Sequence, residues 1–589
     1  MSKKQSFLLT LTGAVFTLTA ILILGRLVYI QTGPQKSQLV EFADGSSKIL
    51  ETLTPARGKI YDRSGNLLAG NETVYEIGVD LREPNINPES IALAASMVLD
   101  LSMQEVISTI NSALLDGLAY YPIFREATAE EAAKLDELRR EMAADPLSQG
   151  KSSNDQYHSL HGLVIEPKLR RIYPENDLAS NVLGFVNKEP KSVYGVEAYF
   201  DELLSGVPKQ YWRSFDPNRA MEKEQATEGS SLILTIDREI QAMVEDVLDN
   251  TILMHGAHAG TIVVMHPETG EILAMASNPR IDINEFWRLS EVFEEKQAFN
   301  MAINTYEPGS VFKVFTMASA LDSGAVNPDT TFIDTGVIQV GGVPIYNWNQ
   351  GAWGPQTMLG CMQHSLNVCL SWVATEMGAS TFYTYLQSFG FGHLTGIELD
   401  IEYSGRLRLP GDPDWYESDL ATNSFGQGIS VTPMQMVMGI SSLANDGDMV
   451  IPRIVHAVVD RGRQYNTSIQ FAGKPISEKT AHTLTDMLAV SLEQEASSAL
   501  VEGFRVAGKT GTAEIPTEYG YTSAQTNASF VGWGPVDDPK FIVYIWLEKP
   551  SSSIWGSVVA APVFKEVVER LVVLMDLPPD LVRKSMNYP

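Results

Sequence analysis

Residues 6–25, SFLLTLTGAVFTLTAILILG, carry no charge, and this is the length a helix needs to cross the hydrocarbon core of a bilayer. Arg26 follows, LVYIQ extends the apolar run with Tyr29 at interfacial depth, and Lys3 and Lys4 precede it with no basic cluster on the far side. The positive-inside rule then places the N-terminus in the cytoplasm and the bulk of the chain outside. The run is long for a secretory signal and no clear A-x-A cleavage site follows, so an uncleaved single anchor is expected. No other stretch is long and apolar enough to span.

Beyond a polar juxtamembrane stretch, roughly 32–53, the pattern alternates. PARGKIYDRSGNLLAGNETVYEIGVD predicts short strands joined by turns, and SIALAASMVLDLSMQEVISTINSAL predicts a helical segment. Residues 128–143, TAEEAAKLDELRREMA, open with Thr128 and Glu131 in a capping-box arrangement and read as a solvated helix. DPLSQGKSSND reads as a flexible loop, and RRIYPENDLASNVLGFVN and GVEAYFDELLSG as a second strand-and-turn region. A new unit begins near EGSSLILTIDREIQAMVEDVL, a strand followed by an amphipathic helix. GTIVVMHPETGEILAMAS is a hairpin pattern; RVAGKTGTAEI, NASFVGWG and KFIVYIWLEK predict three more strands, and APVFKEVVERLVVLM a closing helix. Strands at both ends with helices between predict an α+β unit, an antiparallel sheet flanked by helices.

The bulk numbers bound this picture. A chain of 589 residues exceeds one ordinary core, and 20% charged with 44% hydrophobic content is globular. The net charge of −29 excludes the basic footprint that nucleic acid needs. The nine histidines show no metal-ligand spacing. Cys361 and Cys369 placed on one helix would stand about 12 Å apart, beyond the roughly 7 Å a disulfide allows, so they are expected to be free thiols in a core.

Chemistry enters at YEPGSVFKVFTMASAL. Pro308 and Gly309 break the chain, and the apolar run that follows predicts a buried helix starting near Ser310. Ser310 and Lys313 then share a face. Burial lowers a lysine's pKa and makes it a base, and a serine beside a base is an activated nucleophile. A helix cap with a snorkelling lysine would give the same S-x-x-K pattern. Ser148–Lys151 repeats it in a polar run where nothing buries the lysine. Ser365-Leu366-Asn367 is an S-x-N, matched also at Ser64–Asn66, Ser152–Asn154 and Ser585–Asn587 in turns or tail. In Lys509-Thr510-Gly511-Thr512 a strand would put Lys509 and Gly511 on one face, with Gly511 leaving room for a ligand backbone. The three motifs in this order, on a helix, a helix start and a strand, form the signature of penicillin-binding proteins and β-lactamases.

The chain resembles the class B penicillin-binding proteins, membrane-anchored D,D-transpeptidases that cross-link peptidoglycan. RGKIYDRSGNLLA, RIYP and GVEAYFD resemble the family's non-catalytic pedestal. LTIDREIQ, GTIVVMHPETGEILAMASNP, YEPGSVFK, HSLNV, SFGQGISVTPMQ and GKTGTAE resemble its transpeptidase domain. The pairing of SLNV with FGFGHLTGIEL and SFGQGISVTPMQ is most similar to the septal, division-associated branch, the elongation branch being the alternative. Met301 departs from the arginine that many relatives carry, outside the catalytic set.

The resemblance implies a tail (1–5), an anchor (6–30), a dimerisation-type pedestal (31–225) and a transpeptidase domain (226–589). It implies a stem peptide ending in D-Ala-D-Ala as substrate, Ser310, Lys313, Ser365, Asn367 and Lys509 as catalytic residues, and Thr510, Gly511 and Thr512 as substrate-binding. No metal or organic cofactor is expected. β-Lactams as covalent inhibitors, the plasma membrane, and a polytopic glycosyltransferase with other division proteins are the expected partners. A β-lactamase would not need the pedestal or anchor, and a sensor would need a signalling domain where only five residues precede the span. A carboxypeptidase shares the first half-reaction. An inactive division scaffold would not need the intact motif residues.

Overall fold

The computed structural model describes residues 3–33, 48–84, 86–144, 160–189, 191–214, 226–295, 297–495, 497–517 and 520–586. The loop read at DPLSQGKSSND, with its Ser148–Lys151 and Ser152–Asn154 motifs, lies outside them, as does Asn587.

The chain forms two compact units. The first comprises Met1–Ala56 and Ser205–Gly229. It carries the helix Lys3–Thr32, whose window Leu11–Ile30 is, among the described residues, the one stretch long and apolar enough to cross a membrane. It also holds a two-stranded antiparallel sheet, Lys48–Leu53 against Lys209–Ser214, in the register Lys48 to Ser214.

The second unit, Arg57–Leu204 with Ser230–Pro589, holds everything else. One of its sheets is organised by the long strand Leu67–Asp80, which pairs antiparallel with Tyr120–Ala127 and with Leu163–Ile172. The segment expected to be helical forms two helices, Pro88–Leu99 and Met103–Leu115, because Asp100 takes a left-handed conformation (φ 55°) that ends the first. The capping box forms: Thr128 N donates to Glu131 at 2.7 Å and Glu131 N to the Thr128 hydroxyl at 3.2 Å. The helix it starts is not wholly solvated, since Ala132 and Leu135 are buried.

Three short motifs from distant parts of the chain meet on one buried carboxylate. Glu197, fully buried, receives Arg57 Nε and Arg171 Nε, each at 2.6 Å. Arg57 also bonds Asp201 at 2.7 Å, and Arg171 donates to Gly58 O at 2.7 Å. Removing one partner of such a buried network strands the others. Glu197→Ala is therefore expected to cost about 3–5 kcal/mol in urea unfolding of the extramembrane part.

The part after residue 230 is built on a five-stranded, wholly antiparallel sheet, as the sequence pattern predicts. Helix α1 (Arg238–His255) precedes β1 (Ala259–Met265) and β2 (Ile272–Asn278); β3 (Ala507–Thr517), β4 (Gly520–Gly534) and β5 (Phe541–Glu548) come from the far end, in the spatial order β2-β1-β5-β4-β3. Both faces are covered, and β5 sorts its residues by the two-residue period of a strand. Phe541, Val543, Ile545 and Leu547 join one core with Val244 and Leu248 of α1 and Phe564, Val567 and Leu571 of the closing helix Ala561–Leu574. Ile542, Tyr544 and Trp546 face a second core with Val314, Phe315 and Met317 of α2 (Lys313–Asp322). That second face, at the edge strand β3, is where the chemistry-bearing motifs gather.

Candidate functional site

The turn carrying Ser310 is held on two sides by backbone. Gly309 has φ +60°, and residues 309–312 form a tight 3₁₀ turn that runs into α2. The helix thus starts three residues later than expected, with Ser310 on the turn before it, half-buried. Gly309 N donates to Gly426 O at 2.9 Å, and a Cβ on Gly426 (φ +82°) would sit 2.2 Å from Gly309 O. On the other side a Cβ at Gly511 would meet Ser529 Oγ at 2.2 Å, Val311 Cγ1 at 2.9 Å and Pro308 O at 3.2 Å. The room beside Gly511 is therefore filled by the protein's own Ser310 turn, not left for a ligand backbone as the sequence suggested. Gly426→Ala combines a strained φ with a backbone clash. It is expected to cost about 1–3 kcal/mol and to slow covalent labelling by fluorescent penicillin, read together with thermal melting.

Lys313 is fully buried at the first position of α2. Its three hydrogen bonds go to the S-x-N motif rather than to Ser310: Ser365 O at 2.6 Å, Asn367 Oδ1 at 2.7 Å and Ser365 Oγ at 3.1 Å. Burial, and then the neighbouring Lys509 cation, push its pKa well below the usual lysine range. A neutral amine has two hydrogens and one lone pair. The two shorter bonds, to a carbonyl and an amide oxygen, take the two hydrogens and leave the lone pair uncommitted. Asn367 is fixed in this orientation because its Nδ2 donates to Tyr346 O at 3.1 Å.

Ser365 lies between α3 (Met358–Gln363) and α4 (Asn367–Met377), with φ +53°, rare for a serine. This break overturns the free-thiol expectation. Cys361 and Cys369 are not on one helix; the chain reverses between them, their Cα atoms are 6.0 Å apart, and they form a disulfide.

Strand β3 supplies the remaining residues. Lys509 and Gly511 are buried while Thr510 and Thr512 are half-buried, the expected alternation. The Lys509 amine donates to Thr510 O at 3.2 Å, and the Thr512 hydroxyl accepts Gly556 N at 3.1 Å. As an edge strand, β3 keeps one row of backbone groups outside the sheet ladder. All eight site residues read from the sequence thus belong to one neighbourhood.

Sequence reasoning missed Gly426, Gly556 and an aromatic pair. Trp348, whose indole donates to His364 O at 3.2 Å beside the S-x-N motif, meets Trp555, next to Gly556, edge to face at 5.3 Å. The two side walls of the site touch there. The glycines stood in plain view in SFGQG and IWGS, but nothing along the chain said which backbone each would face.

The Penicillin binding protein transpeptidase domain family matches residues 260–569, and the Penicillin-binding Protein dimerisation domain family matches residues 52–232. Stage V sporulation protein D of Bacillus subtilis is 31% identical over 96% of this chain and 85% of its own length. Peptidoglycan D,D-transpeptidase FtsI of Escherichia coli is 27% identical over 97% of this chain and 92% of its own. In fold, penicillin binding protein 2X of Streptococcus thermophilus superposes with a TM-score of 0.73 at 23% identity, covering 89% of this chain and 80% of that one. The chain belongs to this family: it is a class B penicillin-binding protein with a penicillin-binding transpeptidase domain.

Proposed function

We propose that this chain cross-links peptidoglycan stem peptides through an acyl-enzyme on Ser310, in septal wall synthesis. The observation that carries the reading is the buried Lys313 amine, with both hydrogens committed to Ser365 O and Asn367 Oδ1, one helical turn from a serine held by two backbones. Ser310 Oγ attacks the penultimate D-Ala carbonyl while neutral Lys313 takes the hydroxyl proton. Charge on the carbonyl oxygen is met by the Ser310 and Thr512 N–H groups. Lys509, Thr510 and Thr512 bind the terminal carboxylate, beside Gly511, and Asn367 holds the peptide amide. As the C–N bond breaks, the proton passes through Ser365 to the departing D-Ala amine. An amine of a second stem then attacks the ester, its proton returns along the same path to Ser310 Oγ, and the cross-link is released. β-Lactams, which copy the acyl-D-Ala-D-Ala geometry, trap the first ester.

The apolar helix serves as a single anchor with a cytoplasmic N-terminus and the bulk outside. The Cys361–Cys369 disulfide supports that topology, since disulfides persist in oxidising compartments. A polytopic glycosyltransferase and other division proteins are the proposed partners; a tagged chain that recovers no glycosyltransferase from membranes would remove the first. Depletion should give filaments, and round cells would instead assign the chain to elongation. The reaction is tested with a pentapeptide ending in D-Ala-D-Ala and an amine acceptor. D-Ala release matched by new amide is expected. Release with hydrolysis alone would make the chain a carboxypeptidase.

A further inference from the structure

The Cys361–Cys369 disulfide encloses the two residues that hold the Lys313 amine. Cys361 lies in α3, Cys369 in the first turn of α4, and both are fully buried. Between them the chain turns through His364, Ser365 and Leu366. Leu366 N donates to Cys361 O at 3.0 Å, and His364 N to Gly360 O at 3.0 Å. From outside, the His364 ring stacks on Trp353 at 4.0 Å, and Val368 N donates to Asn347 Oδ1 at 3.1 Å. Every hydrogen bond of Lys313 ends on this enclosed junction. A bridge spanning eight residues removes less unfolded-chain entropy than one closing a long loop, so its consequence is local. Ser365, moreover, sits in a left-handed conformation that a serine does not hold without support.

We infer that the Cys361–Cys369 disulfide is a positioning element of the acylation machinery: it fixes Ser365 and Asn367 at the separation that holds the Lys313 amine in place as a base. This rests on the reading of Ser310 as nucleophile. With the bridge open, α3 and α4 are joined only by backbone and packing, and Ser365 relaxes toward an ordinary conformation. Lys313 then loses its fixed acceptors and gains water. Hydration favours the ammonium form, so the amine releases its proton at higher pH. Among the described residues, Lys509 on β3 is the charged side chain that acts on Lys313, its cation disfavouring the ammonium form. Asp322 and its partner Tyr385 lie at the other end of α2, about 13 Å along the axis.

The test uses the full chain in detergent, with fluorescent penicillin as probe. The saturation constant and the acylation rate constant are read separately across pH, with thermal melting as a fold control. Cys361→Ala/Cys369→Ala is expected to lower the acylation rate constant about 10- to 100-fold near neutral pH. The saturation constant should change little, and the rising limb of the pH profile should shift to higher pH. A second arm leaves the sequence intact: a trialkylphosphine reduces the bridge, becoming the phosphine oxide with oxygen from water, while two thiols form and are counted by alkylation and mass. It should reproduce both effects. An unchanged rate constant and pH profile in either arm, even with a lower melting temperature, would reduce the bridge to a structural staple. No adduct on the unmodified chain would instead overturn the reading of Ser310, and the inference with it.

Discussion

Ser310→Ala is expected to abolish covalent labelling by penicillin and to lower peptide cross-linking by up to about 10⁶-fold, the scale of losing a nucleophile that acts as a unit with its base. Fold should be spared. Ser310 is half-buried on a turn fixed by Gly309, Gly426 and Gly511, none of which depends on the hydroxyl. Melting temperature and circular dichroism should match the parent while acylation disappears. An S310A chain that still acquired a stable penicillin adduct would place the nucleophile elsewhere.

Lys313→Met carries the second large effect, and its sign separates catalysis from stability. Methionine keeps most of the volume and removes the proposed base, so acylation should fall about 10³- to 10⁴-fold. In the parent, burial holds the folded-state pKa of Lys313 well below its unfolded value. Between the two values the unfolded chain binds one more proton, so stability rises with pH across that window. The burden of burying Lys313 is therefore full below the folded-state pKa and gone above the ordinary lysine value. K313M removes that pH dependence. The parent-minus-variant difference in melting temperature should rise from pH 6 to pH 9, while the catalytic defect persists throughout. The parent's acylation rate should itself rise with pH through an inflection below the ordinary lysine value. A flat profile there would exclude Lys313 as the base.

Much of this site was legible along the chain because its parts are local. Pro308-Gly309 announces the turn, the apolar run behind Lys313 announces its burial, and alternation places Lys509 and Gly511 together. The sheet was legible for the same reason, its strands being apolar runs separated by turn residues. What could not be read depends on which distant backbones meet. The free-thiol expectation rested on placing Cys361 and Cys369 on one helix; the chain breaks between them at Ser365, held left-handed by contacts that the linear pattern does not record. Gly511 was rightly singled out for close approach, but the approaching backbone is Pro308–Val311. The convergence of Arg57, Arg171 and Glu197 draws on three segments, each of which reads alone as ordinary polar surface.

The most direct test of the central claim is the intact mass of the extramembrane chain after benzylpenicillin, followed by digestion to locate the added mass. One penicilloyl group, stable over the assay and confined to the peptide containing Ser310, is the expected result. A folded protein that takes no adduct, or one whose adduct lies on another peptide or is lost within minutes by hydrolysis, would contradict it.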